Sequence, residues 1–281
     1  MIARSLLARA RDTALGHFAT VEGFARGQLR PEPPPVDVPF AITIPDPVLG
    51  TVPLTGRLAY GDRASLVVIV HGMGGSVESP YAIRAANAAT RAGHAALRIH
   101  LRGGDGSGAD VYHAGLGEDL GALVAAPELA RFEAIAIVGY SLGGHVTLRH
   151  AADGPWDPRL RAFVALSPPI DLDRGTLAIQ RVDRRPYQEF ILKSLRQQLV
   201  QVSKHRPLAV HPDEVERRVR TIRDWDREVI VPRFGYGSLA DFYGQESVGP
   251  RLPRITVPTL LVIADRDPMI AIDTVVPCRI P

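Results

Sequence analysis

The 281-residue sequence predicts an α/β fold, with a mostly parallel sheet, helices on both faces and a helical lid inserted late in the chain. Three observations predict it. First, "SLVVIV" (65–70), "HAALRI" (94–99), "AIAIVG" (134–139) and "AFVALS" (162–167) are short, nearly uninterrupted apolar runs, as strands buried on both faces require. Second, alanine-rich segments of helical periodicity, "YAIRAANAATRAG" and "GLGEDLGALVAAPELA", lie between them. Such alternation implies parallel strands joined by right-handed crossovers. Third, from about 175 to 250 the alternation stops, and amphipathic helical stretches follow with no strand between them.

In chain order, residues 1–37 read as a basic amphipathic helix followed by the stiff connector "PEPPPVDVP". Docking of that helix on the protein's own surface is the first reading, and contact with a membrane surface the second. Residues 38–174 form the first part of the core. "FAITI" and "VPLTGRLAYG" open it as two antiparallel strands around a Pro/Gly turn, and the buried strands follow. Residues 175–250 are the lid, with helices predicted over "RRPYQEFILKSLRQQLVQVSKH" and "HPDEVERRVRTIRDWDREVI". Residues 251–281 resume the core with one more buried strand in "TVPTLLVIADRDP".

Composition narrows the function classes. A hydrophobic content of 46% with 22% charged residues is globular, and the length can bury a large core. Thirty-three basic against 30 acidic residues leave a net charge of only +3, weak support for a nucleic-acid partner. The single cysteine, Cys278, excludes an internal disulfide framework and any Cys-rich metal site. The first 18 residues lack the apolar run of a signal peptide, because Arg4, Arg9 and Arg11 interrupt them. A cytoplasmic location is expected, with peripheral membrane contact as the alternative. Nothing in the sequence specifies an oligomeric state.

The chemistry concentrates in three segments. "IAIVGYSLGGHVTL" (135–148) runs from strand through a tight turn into helix and carries Gly-x-Ser-x-Gly around Ser141. Glycines flank the serine because a nucleophile elbow is sterically strained, and Gly144 lets the helix pack close to the sheet. The plainer reading is a strand-to-helix turn with a capping serine. "VVIVHGMGGS" (67–76) leads a buried strand into a glycine-rich loop. In a hydrolase such a loop supplies one oxyanion donor and the residue after the nucleophile the other, which makes the backbone N–H groups of Met73 and Leu142 the candidates. A phosphate-binding loop is the competing reading, but no Lys-Ser/Thr follows and the dinucleotide spacing fails at Val77. Finally, "LLVIADRDPMI" sets Asp265 and Asp267 just past a buried strand, where a carboxylate can orient a histidine. Asp267 is preferred, and an ordinary Asp-Pro turn is the alternative.

Taken in order, these segments resemble the α/β-hydrolase fold. More narrowly they resemble its YheT-like branch, which includes bacterial hydrolases and eukaryotic lipases and esterases. The likeness rests on "GHFAT", "HGMGGSVESPY", "YHAGLGEDL", "GYSLGGH", "LSPPIDL", "RTIRDWD" and "VPTLLVIADRDP". It departs at Ala19, where that branch has glutamine, and at His145, where asparagine is usual. The resemblance implies hydrolysis of carboxylic esters, short- to medium-chain acyl esters or monoacylglycerol-like lipids. It assigns Ser141 as nucleophile, Asp267 as acid and Met73 with Leu142 as the oxyanion hole, and implies neither cofactor nor metal.

One member of the expected triad has no candidate. In this fold the order is Ser, Asp, His, yet all nine histidines precede Asp267 and none lies among the 14 residues after it. His71 is read as ordering its loop, His113 as structural, and His145 as pointing away from Ser141. His205 and His211 lie in the lid. The expectation is therefore a hydrolase lineage that is C-terminally incomplete in these 281 residues, its final helix and strand missing and its turnover impaired. The rival is a non-catalytic relative that binds an acyl ligand, and a basic membrane-surface protein is the third reading.

Overall fold

The computed structural model describes residues 12–22, 27, 29–154, 156–270 and 272–275. Seven strands form one sheet in the order β1-β2-β4-β3-β5-β6-β7. They are β1 (Val38–Asp46), β2 (Gly50–Ala59), β3 (Ser65–Val70), β4 (Ala95–Ile99), β5 (Ala134–Tyr140), β6 (Leu160–Leu166) and β7 (Thr259–Val262). β1 and β2 pair antiparallel, as does β2 with β4, and the remaining pairs are parallel.

The burial of each strand follows its sequence. β1 alternates exposed and buried residues, as expected for an outer antiparallel strand, whereas every residue of β4 is buried. Within β3, Ile69 faces the small residues Ala82, Ala86 and Ala89 of helix α2 (Pro80–Arg91). Val68 and Val70 face the main core with Leu120 and Leu123 of α3 (Gly117–Val124). Thus both faces of the sheet are covered. Arg98 of β4 is buried with its charge satisfied, Nη1 donating to the Val77 carbonyl at 2.6 Å and Nη2 paired with Asp37.

The chain leaves β3 toward β4 on one side and reaches β5 on the other, so the connections diverge at the C-terminal ends of β3 and β5. Open α/β sheets place their ligand crevices at such a point. The loop 71–75 follows β3, and Ser141 sits between β5 and helix α4 (Leu142–Asp153).

The lid is built of helices with no strand between them, but it is more broken than the sequence predicts. After α5 (Leu172–Ile179), α6 (Arg185–Ser203) is continuous. The second predicted helix divides into α7 (Pro212–Arg218), α8 (Ile222–Trp225) and a π-helical turn (Asp226–Ile230), and α9 (Val231–Phe234) continues beyond its predicted end. Its break has a local cause. Thr221 accepts from the Asp224 N–H while the Asp224 carboxylate accepts from the Thr221 N–H, and this capping box starts a new helix. α10 (Leu239–Glu246) completes the lid. A buried ion network ties the lid to the core. Arg102 pairs with Asp119 at 2.7 Å and Asp46 at 2.5 Å, and Arg233 and Arg206 converge on the fully buried Asp110.

Residues 12–22 are helical and are designated α1. Asp12 pairs with Arg266 at 3.1 Å, and the His17 ring stacks on Tyr187 with centroids 5.6 Å apart. This part of the N-terminal segment docks on the protein's own surface. The basic positions Arg4, Arg9 and Arg11 lie outside the described residues.

Candidate active site

Ser141 adopts φ 50°, ψ −118°, and with Ser167 it is one of two non-glycine residues of positive φ among those described. Such a backbone costs on the order of 1–3 kcal/mol and persists only where its surroundings over-determine it. Here they do. The Ser141 N–H donates to the Leu166 carbonyl at 2.8 Å, and its carbonyl accepts from His145 N–H at 3.0 Å at the start of α4. Behind it, a Cβ on Gly143 would overlap the His71 carbonyl. The glycine therefore lets α4 approach the end of β3 closely enough to bring Ser141 to the glycine-rich loop. A Cβ on Gly72 would lie 3.1 Å from Ser141 Cβ. The Ser141 hydroxyl makes no hydrogen bond with a described residue, and no capping bond is formed.

Three side chains hold the loop. His71 Nδ1 lies 2.7 Å from the Gly72 carbonyl, and His71 Nε2 accepts from Leu101 N–H at 3.1 Å, which fixes a neutral ring protonated at Nδ1. Burial lowers the His71 pKa to about 4. The Gly72 N–H donates to Tyr81 Oη at 3.0 Å and the Gly74 N–H to Tyr112 Oη at 2.8 Å. Met73, between them, keeps a backbone N–H with no acceptor among the described residues. Leu142 is the first residue of α4, and its N–H has no intrahelical acceptor. The two N–H groups singled out in the sequence are thus unengaged, on segments that meet at Ser141. The roles of Tyr81 and Tyr112 were not legible, although both lie within the quoted stretches "HGMGGSVESPY" and "YHAGLGEDL".

A cavity of about 680 Å³, part of it open solvent, lies against Ser141, Leu142 and Met73. Leu172, Ile179, Ile191, Ile222, Phe242, Met269 and Ile270 make its lining mainly apolar. The lid contributes much of this wall. Ile191 is the residue of α6 that reaches the cavity, while its neighbour Phe190 is 57% exposed and Leu195 is buried in the core outside the cavity. Asp226 and Tyr243 also line it. The Asp226 carboxyl accepts from Tyr243 Oη at 2.8 Å, and burial raises its pKa to about 7 against the opposing effects of Tyr243 and Arg223.

Asp267 lies beyond β7 in a tight turn, where Oδ1 accepts from Met269 N–H at 2.8 Å and Ile270 N–H at 3.0 Å. Met269 and Ile270 line the Ser141 cavity, so the turn stands beside it, while Asp267 is not itself in the wall. Asp265 is exposed.

No described histidine hydrogen-bonds Ser141. His145 is buried with Nδ1 2.5 Å from the Pro169 carbonyl and Nε2 2.9 Å from the Glu246 carbonyl. Two carbonyls would suit an imidazolium, yet burial lowers its pKa to about 4, so the neutral ring serves one carbonyl at a time. His113 does line the cavity. Its Nδ1 accepts from Gly115 N–H at 3.1 Å and its ring packs on Phe234 and Phe242. Burial, then the charges of Arg102, Arg233 and Arg149, lower its pKa to about 3, far from the range of a base at neutral pH. His211 caps α7, and neither it nor His205 lines the cavity. Among the described residues there is no group of ligands suited to a metal ion.

A sequence profile described as alpha/beta hydrolase fold matches residues 65–279. YheT of Escherichia coli K12, which bears an esterase name, is 31% identical over 220 residues, covering 75% of this chain and 63% of YheT. The monoacylglycerol lipase of Saccharomyces cerevisiae is 23% identical over 145 residues, covering 49% of this chain and 32% of the lipase. The chain therefore spans less than two thirds of the length of these relatives. Among solved structures, 2,6-dihydroxy-pseudo-oxynicotine hydrolase superposes with a TM-score of 0.50 at 17% identity, covering 88% of this chain and 58% of that one. Mouse alpha/beta hydrolase domain-containing protein 10 gives 0.50 at 12% identity, covering 85% and 84%. Profile, strand order and the turn at Ser141 agree: the chain belongs to the α/β-hydrolase family and is similar to YheT within it.

Proposed function

We propose that this chain carries a serine-hydrolase site for carboxylic esters, with short- to medium-chain acyl esters or monoacylglycerol-like lipids as substrates. The observation that carries this is Ser141, held at φ 50°, ψ −118° in the wall of an apolar cavity beside the unengaged N–H of Met73. In this reading Ser141 Oγ attacks the ester carbonyl carbon and passes its proton to a base. Negative charge on the carbonyl oxygen is held by the N–H groups of Met73 and Leu142. The protonated base gives its proton to the alcohol oxygen as the carbon–oxygen bond breaks; water, deprotonated by the base, then attacks the acyl carbon, and the acid leaves as Ser141 Oγ takes the proton back. Asp267, just past β7, holds the position from which a carboxylate orients a histidine base and stabilises its charged form. The names of YheT and the yeast lipase support the ester and lipid classes.

The base is not among the described histidines, so turnover by the 281-residue chain is impaired. Loss of the triad histidine in subtilisin costs about 10⁶ in kcat. The test is p-nitrophenyl butyrate hydrolysis by this chain and its Ser141→Ala variant, each with and without added imidazole. The two proteins should be nearly equal without imidazole, and imidazole should raise the rate of the parent chain well above that of Ser141→Ala. Robust turnover without imidazole that Ser141→Ala abolishes would show an internal base, and His113, as the cavity histidine, would be replaced first. A second reading, an acyl-ligand binding protein without turnover, draws on the same lack of a histidine at Ser141. Ester binding with no Ser141-dependent rate under any condition would favour it.

A further inference from the structure

The cavity wall holds one polar cluster that the acyl-transfer reading leaves unused. Asp226, on the π-helical turn, and Tyr243, on α10, meet through a 2.8 Å hydrogen bond from Tyr243 Oη to Asp226 Oδ2, and both line the cavity with Ser141. Tyr243 is the one hydrogen-bond partner of the Asp226 carboxyl among the described residues, which leaves Oδ1 unclaimed. A buried carboxyl in an apolar wall is costly unless its oxygens are paired. Ligand pockets are commonly apolar with a few placed polar groups that select and orient the ligand. π-Helical turns, moreover, recur at functional sites.

We propose that Asp226 and Tyr243 form a specificity subsite for a neutral hydroxyl group carried by the ester, on either its acyl chain or its alcohol portion. This rests on the ester-hydrolase reading and deepens it. The surroundings select the ligand group. Arg223 lies over the Tyr243 ring, its guanidinium carbon 5.1 Å from the centroid, and donates to Thr176 Oγ1 at 3.1 Å and Asp173 at 2.6 Å. Its positive charge opposes a cationic ligand beside Asp226. A carbonyl on the ligand can only accept, which serves the protonated carboxyl alone. A hydroxyl donates to the carboxylate and accepts from the acid, so it pairs with Asp226 in either state. With the Asp226 pKa near neutrality, both states are populated at pH 7.

Calorimetric titration of the 281-residue chain in the Ser141→Ala form, which prevents turnover, tests this with three probes: methyl hexanoate, methyl 6-hydroxyhexanoate and 1-monohexanoylglycerol. One of the hydroxylated esters should bind about 10-fold tighter than methyl hexanoate, the scale of one good hydrogen bond to a charged or acidic group. Preference for the hydroxyhexanoate places the hydroxyl on the acyl chain, and preference for the glycerol ester places it on the alcohol. Added singly, Tyr243→Phe and Asp226→Leu should each remove that preference, with a cooperative melt followed by circular dichroism reporting an intact fold. Equal affinity for all three probes, or a hydroxyl preference that survives both substitutions, overturns the subsite and leaves the ester pocket standing. Absence of binding by every probe overturns the subsite and the ester-pocket reading together.

Discussion

At the scale of single residues, the site depends on positions where a local preference is overridden. Gly143 lies in the first turn of α4, and glycine in a helix interior normally costs about 1 kcal/mol relative to alanine. Here the added methyl would strike the His71 carbonyl. Gly143→Ala is therefore expected to destabilise by about 1–3 kcal/mol rather than stabilise, measured by chemical denaturation. Unchanged or increased stability would show that the loop yields. Asp226 is a second such position. Its carboxyl is raised from 3.8 to about 7 by burial, with Tyr243 and Arg223 opposing. The unfolded chain thus releases this proton at lower pH than the folded one, and stability falls as pH rises from about 4 to about 7. The loss is at most on the order of 4 kcal/mol, at 1.36 kcal/mol per unit. Asp226→Asn should flatten this fall, so its stability relative to the parent chain rises between pH 4 and pH 8. Parallel stability profiles for the two proteins across that range would refute it.

At the scale of elements, two ties position the cavity wall. The strand ends carry Ser141 and the glycine-rich loop, while the lid is latched by Arg206 and Arg233 on Asp110. Asp110 is fully buried, and its removal leaves Arg206 without a carboxylate partner among the described residues and Arg233 with Asp46 alone at 3.4 Å. Breaking one side of a buried pair costs about 3–5 kcal/mol. Asp110→Ala should therefore lower stability by that order and speed hydrogen exchange in α6 and α9 more than in β3 and β5. Exchange rising equally in sheet and lid would mean that the network serves the whole fold rather than the latch. Division of the second lid helix also matters at this scale. The capping box at Thr221 redirects the chain, and the π-helical turn that follows places Asp226 in the cavity wall.

At the scale of the whole molecule, the sheet ends at β7 among the described residues. Leu260 is 58% exposed and Val262 43% exposed on this four-residue strand. An unpaired edge beside exposed aliphatic side chains is a template for association. The 281-residue chain should self-associate with rising concentration in sedimentation experiments, and Leu260→Lys with Val262→Lys should shift it toward monomer. A parent chain that stays monomeric at about 100 μM would contradict this. No described helix is long and apolar enough to cross a membrane. The N-terminal helix leaves Leu15, Phe18 and Val21 exposed while its other side docks on Tyr187 and Arg266.

What was legible in the sequence is what local pattern controls. Apolar runs of strand length, helical periodicity between them and glycines around Ser141 were enough to read the parallel sheet, the helical lid and the strained turn. That Met73 and Leu142 lie beside Ser141 was legible for the same reason, because each sits at a fixed offset from a strand end. The capping box at Thr221 and Asp224 was equally local, and its sequence signal was open to reading although the amphipathic period masked it. Only tertiary structure decided the rest. Tyr112 meets Gly74 across 38 positions and Tyr81 meets Gly72 across nine, contacts no periodicity encodes. Ile191 rather than Phe190 or Leu195 faces the cavity because the rotation of α6 is set by its packing on the core. His113 enters the wall, and Asp226 finds Tyr243, because separate helices converge there. A side chain's pattern states that it will be buried; which neighbour it meets follows from how whole elements pack.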